Sequence, residues 1–125
     1  MKDTEGDPKI KARIRAAGMK ILQQKMMSAV PSADVVVTNP THYAVALKWD
    51  SKVSESPVVN AKGVDEVAQT IKRLARENDI PLVENRPVAR GLYTEVEVGD
   101  IIPEEYLKVI ALIYSHLEKF QDWKK

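Results

Sequence analysis

The sequence predicts an α/β domain: a small mixed sheet of about four strands packed with helices, plus a protruding N-terminal linker helix. Three observations predict this class. Four short runs rich in Val, Leu and Ala have the length and composition of strands. Longer segments carry apolar residues at helical spacing. One of these helices falls between the third and fourth strand runs, an order that requires a crossover and therefore some parallel pairing.

Composition limits the classes of function. The chain has 125 residues, the size of one domain, and a net charge of +1, which argues against a nucleic-acid partner. It has no cysteine and two histidines, which do not make a convincing metal site. No glycine-rich nucleotide-binding motif is present, and no apolar run approaches a membrane span. We therefore expect neither a metal nor another cofactor.

The first predicted element is a helix from Pro8 to about Val30, with Asp7 as candidate N-cap and proline at the first helical position. Its apolar stripe is thin, so the helix is marginal on its own. We assign residues 1–30 to a linker helix and residues 31–125 to the main domain. The basic residues of the linker fit either a solvated helix or a basic arm near anionic lipid.

Strands and helices alternate through the rest of the chain. The apolar runs predict strands at 33–37, 43–49, 57–61 and 81–84, and helices at 64–78, 87–96 and 103–120. We expect the third strand to end near Asn60 and Gly99 to close the helix that Pro87 opens. In the middle helix, Asp65 lies in the first turn and Lys72 in the later ones, as the helix dipole favours.

Four residues between the first two strand runs do not belong in a strand interior: Asn39, Pro40, Thr41 and His42, called here the NPTH turn. An asparagine side chain is ordinarily attacked by the next backbone nitrogen, but proline has no N–H and closes that route. The remaining reaction is attack by the Asn39 side-chain nitrogen on its own backbone carbonyl. That attack forms a succinimide and releases Pro40 as a new amino terminus.

The energetics of this reaction are within reach of a turn held by two strands. A cut finished within hours needs a barrier of roughly 23 kcal/mol. Oriented intramolecular attack contributes on the order of 7–11 kcal/mol, and His42 is placed to polarise the carbonyl or carry the proton. The alternative is an ordinary Asn-Pro turn capped by His42.

We interpret Glu95 and Glu97 as solvated surface acids rather than a catalytic pair.

The NPTH turn, followed by YAVAL at 43–47, resembles the self-cleaving signature of the flagellar and type III secretion export-switch proteins, the FlhB/YscU family. The resemblance continues through AKGVD at 61–65, PLVEN at 81–85 and the Ile-Pro pair at 102–103. It therefore covers nearly the whole chain. The continuation at 43–47 favours the flagellar branch over the injectisome branch.

The resemblance implies the cytoplasmic domain of a flagellar export-gate protein, at the cytoplasmic face of the bacterial inner membrane and anchored by a membrane domain ahead of this region. It implies a single-turnover self-cleavage, not a turnover enzyme, that switches export from rod and hook proteins to filament proteins. Asn39 would be the nucleophile and Pro40 the leaving amine, with Thr41 and His42 orienting the turn.

The partners that the resemblance implies are export apparatus proteins, exported flagellar substrates and a hook-length control protein. The alternative function is a non-cleaving protein-interaction module that uses the loop from Asn39 to His42 as a recognition surface.

Overall fold

The computed structural model describes residues 7–120. Its elements in chain order are α1 (Pro8–Ala29), a 3₁₀ turn (Val30–Ser32), β1 (Val35–Asn39), β2 (Tyr43–Lys48), β3 (Val58–Val64), α2 (Asp65–Glu77), β4 (Leu82–Glu84), α3 (Arg86–Glu95) and α4 (Glu104–Ser115). A four-stranded mixed sheet with helices confirms the predicted class. No helix within the described range is long and apolar enough to cross a membrane.

The sheet has the strand order β3-β2-β1-β4. β1 lies inside it, antiparallel to β2 and parallel to β4, so the predicted parallel pairing is confirmed. α2 carries the chain from β3 at one edge to β4 at the other. Because both inner strands are covered by helices, β1 and β2 are buried along nearly their whole length, as their continuous apolar runs predicted.

Each face of the sheet holds its own core. Alternate β1 residues point to opposite faces, with Val35 and Val37 in one core and Val36 in the other. The first core is filled by α3 and α4, and its buried members include Leu92, Ile110 and Tyr114. The second is filled by α2 and the 3₁₀ turn, and it includes Val30, Ala68 and Ile71.

The predicted N-terminal helix and its cap are confirmed. The Asp7 carboxylate accepts a hydrogen bond from the Lys9 backbone N–H at 2.9 Å. No residue of α1 is fully buried, although Met26 and Met27 pack against the second core. The boundary between residues 1–30 and 31–125 stays a prediction.

The third strand is longer than predicted, because Asn60 forms a β-bulge instead of ending it. Ala46 pairs with Ala61 while Leu47 pairs with Val59, which leaves Asn60 as the extra residue. The strand then continues to Val64. The bulge explains a polar residue at a position where a small apolar one was expected.

Two helix ends also differ from the prediction. α3 ends at Glu95, and Gly99 lies in the following loop with φ +97°, donating its N–H to Val59 O at 2.7 Å. Gly99 therefore fixes the loop to β3 and does not close the helix. α4 ends at Ser115. Beginning with His116, the backbone N–H groups donate to the carbonyl three residues earlier, so the four-residue spacing of the α-helix stops there.

Candidate functional site

The NPTH turn is the loop of the β1–β2 hairpin. Asn39 pairs with Tyr43 across the ladder, so Pro40, Thr41 and His42 form the connection. The His42 backbone N–H donates to Asn39 O at 3.1 Å and closes a β-turn. The turn predicted between two strands is thereby confirmed.

The loop reaches this shape without a left-handed residue. Among described non-glycine residues, positive φ occurs at Asp65 and Asp79, so Pro40, Thr41 and His42 all have negative φ. Three-residue hairpin loops usually place a left-handed residue at the third position, where it matches the twist of the strands. This loop depends instead on hydrogen bonds from neighbouring elements.

The Asn39 side chain is held in one orientation by Thr41. Its Oδ1 accepts hydrogen bonds from the Thr41 backbone N–H at 3.3 Å and from Thr41 Oγ1 at 3.0 Å. Because a backbone N–H can only donate, the amide atom facing it must be the oxygen. The second terminal atom of the Asn39 side chain is therefore the nitrogen, Nδ2. It forms no hydrogen bond within residues 7–120. Nδ2 is thus fixed in place and has no competing partner within that range.

The carbonyl that Nδ2 would attack is already polarised. Asn39 O accepts the His42 backbone N–H, and this bond strengthens as negative charge develops on the oxygen during attack. The group that polarises the carbonyl is thus the main chain of His42, a role that sequence reasoning gave to the imidazole.

Asp65 positions His42 through two atoms. Its backbone N–H donates to His42 O at 2.9 Å, and its carboxylate lies 3.6 Å from His42 Nδ1. That separation is too long for a hydrogen bond, so the backbone contact is the one that fixes His42 to Asp65. The imidazole is 61% exposed and forms no hydrogen bond to Asn39 among the described residues. Water can therefore reach both the ring and the turn.

Lys72 is a site residue that sequence reasoning missed. It lies on the buried face of α2 with Ala68, Ile71 and Ala75, and it is 8% exposed. Its Nζ donates to Pro40 O at 3.2 Å. The signal was in the spacing, because positions 68, 71, 72 and 75 share one helix face. Sequence reasoning had considered only the position of Lys72 in the later turns of the helix, where the dipole favours a cation.

On the other side of the turn, Asn39 lines an open groove with Arg86, Arg90 and Glu95 of α3. The Asn85 backbone N–H donates to Thr38 O at 3.0 Å and fixes α3 against the end of β1. The groove gives solvent access to the Asn39 side of the Asn39–Pro40 bond.

Glu95, considered above with Glu97, accepts a hydrogen bond from the Tyr106 hydroxyl. This bond is the largest cause that raises the pKa of Tyr106 to about 12. The carboxylate thus joins α3 to α4.

The fold and the turn define a class of protein: an α/β domain whose Asn-Pro hairpin loop is hydrogen-bonded to α2 on one side and borders an open groove along α3 on the other. The chain belongs to the FlhB HrpN YscU SpaS family, whose model matches residues 1–117. The flagellar export family predicted from the sequence is thereby confirmed.

Flagellar biosynthetic proteins are among its relatives. The chain is 48% identical over 118 residues to FlhB of Bacillus subtilis (strain 168), covering 94% of this chain and 33% of that protein. It is also 48% identical over 120 residues to FlhB of Helicobacter pylori (strain ATCC 700392 / 26695), covering 96% and 33%. The chain thus spans about a third of the length of these relatives.

Solved structures of cytoplasmic and C-terminal domains share the fold. The cytoplasmic domain of FlhB from Shewanella putrefaciens has a TM-score of 0.74 at 41% identity, covering 82% of this chain and 78% of that one. The EscU C-terminal domain with an asparagine-to-aspartate substitution has a TM-score of 0.69 at 30% identity, covering 76% and 87%.

Other EscU structures carry alanine at an asparagine, at the next proline, or at a histidine two positions further on. These three positions have the spacing of Asn39, Pro40 and His42.

Proposed function

We propose that this domain cuts its own chain once, between Asn39 and Pro40, and that the cut switches the class of protein exported by a flagellar secretion apparatus. The observation that carries the proposal is the state of Asn39. Its Oδ1 is held by Thr41, its Nδ2 is unpaired among the described residues, and its carbonyl is polarised by the His42 N–H.

The reaction requires only groups of the turn. Nδ2 bonds to the Asn39 carbonyl carbon, the bond from that carbon to the Pro40 nitrogen breaks, and one proton passes from Nδ2 to the departing nitrogen. The two hydrogen bonds on Oδ1 withdraw charge from the side-chain amide and favour loss of that proton. The exposed His42 ring carries the proton, directly or through water. The protein performs one turnover on itself.

The two pieces stay together after the cut, because β1 belongs to one piece and its neighbours to the other. β1 is hydrogen-bonded to β2 on one side and to β4 on the other. Breaking the loop between β1 and β2 leaves both ladders intact and frees residues 40–42 to change pose.

The changed pose is the proposed switch. The cut domain presents a different surface to the export apparatus from the uncut domain. The uncut surface corresponds to export of rod and hook proteins, and the cut surface to export of filament proteins. We propose the cytoplasmic face of the inner membrane as the location of the domain, with exported substrates and a hook-length control protein as partners. The membership in the export family supports this part.

A second candidate is a non-cleaving interaction module. Thr41 and His42 are exposed at the tip of the hairpin, which supports a recognition surface. The two functions differ in whether the chain is cut.

Intact-mass spectrometry of the denatured protein separates the two candidates. Self-cleavage yields residues 1–39 and 40–125, while the native protein runs as one particle. Asn39→Ala removes the nucleophile and should give one uncut chain with an unchanged fold. A single chain in the wild type after days at neutral pH would favour the interaction module. A Pro40 amino terminus in Asn39→Ala would indicate an external protease.

A further inference from the structure

Lys72 is a buried cation whose partner is a backbone carbonyl. It is 8% exposed, donates to Pro40 O at 3.2 Å, and forms no ion pair within residues 7–120. Burying an ammonium group without an anion is strongly unfavourable. A methionine would fill the same space without that penalty, so packing does not explain the charge at this position.

We propose that Lys72 displaces residues 40–42 after the cut, by repelling the amine that cleavage creates at Pro40. The position that these residues hold in the uncut chain is called here the seated pose. This inference rests on the proposed self-cleavage and adds to it the group that changes the pose. In the uncut chain the same lysine seats the turn, since its ammonium donates to the Pro40 carbonyl.

The charge of Pro40 changes in the reaction. Before the cut its nitrogen is a neutral amide. When the bond to the Asn39 carbonyl carbon breaks and a proton arrives from Nδ2, Pro40 becomes a secondary amine. Chain-terminal amines have a reference pKa of about 7.7–8.0. The new amine therefore takes a second proton from water near neutral pH, and a positive charge appears where there was none.

The new charge lies close to Lys72. The nitrogen and the carbonyl oxygen of one residue are separated by two bonded carbons, so they are about 3–4 Å apart. With Lys72 Nζ 3.2 Å from Pro40 O, the two ammonium groups would lie within about 7 Å of each other in the seated pose. At an effective dielectric constant of about 40, this repulsion changes the ratio of seated to displaced turn on the order of tenfold.

The other charged groups that face the turn do not replace Lys72. They are exposed, so water and salt screen them: Asp65 and His42 on the α2 side, and Glu84, Arg86, Arg90 and Glu95 on the β4–α3 side. Several are also engaged elsewhere, since Glu84 pairs with Arg86 at 3.5 Å and Glu95 binds Tyr106. Lys72 is the buried charge beside Pro40.

The test follows the ¹³C-methyl signal of Thr41 in newly cut protein, in which Asn39 is still a neutral succinimide, between pH 7 and pH 9.5. Freshly refolded wild type that is not yet cut supplies the reference signal of the seated turn, because it keeps the hydrogen bonds between Thr41 and Asn39. We expect wild type to match that reference at pH 9.5, where the amine is neutral, and to leave it at pH 7. Cut Lys72→Met lacks both the seating hydrogen bond and the repulsion, so its seated-to-displaced ratio should stay constant from pH 9.5 to pH 7, where that of wild type should fall about tenfold.

Lys72→Arg keeps the charge and should behave as wild type, which separates repulsion from packing. The same fall in the seated-to-displaced ratio between pH 9.5 and pH 7 in wild type and Lys72→Met would overturn the inference while leaving self-cleavage intact. A Lys72→Met protein that never cuts would assign Lys72 to the cleavage step and would also overturn it. A wild type that never cuts would overturn the self-cleavage itself.

Discussion

The carboxylate of Asp34 accepts a hydrogen bond from the Tyr114 hydroxyl at 2.9 Å, across 80 positions of sequence. The same oxygen accepts the Trp49 backbone N–H at 2.6 Å, and the other lies 2.9 Å from Lys119 Nζ. The Asp34 side chain is completely buried. All three partners follow Pro40 in the chain, so this cluster joins the two sides of the proposed cleavage site.

Stability should fall at alkaline pH through Tyr114. Burial, and then the charge of Asp34, raise the pKa of Tyr114 well above its usual range. The folded state therefore holds this proton more tightly than the unfolded state, whose tyrosine pKa is about 10. The resulting stability is present below about pH 10 and is lost as the pH rises further. Urea denaturation between pH 8 and pH 11 should show this loss.

Tyr114→Phe should remove that alkaline dependence and lower the free energy of unfolding at neutral pH by about 1.5–3 kcal/mol, the range for a hydrogen bond to a charged group. Tyr93→Phe is the control, since the Tyr93 hydroxyl forms no hydrogen bond in the described part of the chain. An alkaline slope that persists unchanged in Tyr114→Phe would assign it to another group.

Thr41→Val should slow self-cleavage. Valine keeps the shape and the backbone N–H but removes the Oγ1 hydrogen bond to Asn39 Oδ1. A neutral hydrogen bond contributes about 0.5–1.5 kcal/mol, so the rate should fall by roughly 2–13-fold. The measurement is the fraction cut over time in freshly refolded protein. Thr70→Val is the control, because its hydroxyl bonds within α2, to Glu66 O at 3.1 Å. Equal slowing of both variants would contradict a specific role for Thr41.

His42→Ala should slow self-cleavage by at least about 10²-fold, the lower end for a positioned proton carrier. Alanine keeps the backbone N–H that polarises Asn39 O, so the loss reports on the side chain alone. Because the ring is 61% exposed, added imidazole should partly restore the rate. Asn39→Ala should show no such rescue. Wild-type cutting by His42→Ala would limit histidine to its main-chain role.

Gly63→Ala should destabilise the fold by about 1–3 kcal/mol through overpacking. An added Cβ would lie 2.3 Å from Val67 Cγ1 and 3.1 Å from the Ala68 backbone nitrogen, so the neighbours have little room to move. Thermal unfolding measures the change. Gly18→Ala is the control, since nothing lies within 4 Å of its added Cβ, and it should not lower the stability. Similar losses in both variants would mean that the contact with α2 is not the cause.

Local patterns were enough for the hairpin and its neighbours. The β-branched run before Asn39 and the alternation after His42 predicted two strands, and Pro40 located the loop between them. The amphipathic spacing of α2 and the proline at the start of α1 were equally direct. In each case the signal lies within one turn or one strand.

What the sequence did not show depends on partners far along the chain. Lys72 is buried because the turn 32 positions earlier offers it a carbonyl. Asp34 is buried because α4 returns to it. The extension of β3 depends on a bulge, which only its pairing with β2 reveals. Strand order likewise follows from which helix covers which face, a property of the packed molecule.

The position of β1 has a mechanical consequence. In the proposed cut state, β1, an inner strand of five residues, belongs to the piece that carries α1, while β2 and β4 belong to the other piece. A pull transmitted through α1 then loads β1 along its axis. Its ladders to β2 and β4 and the contacts of Asp34 resist that load in shear. In the uncut chain the same pull passes through the Asn39–Pro40 bond into β2. Cutting thus replaces a covalent tether with one that a finite force can break.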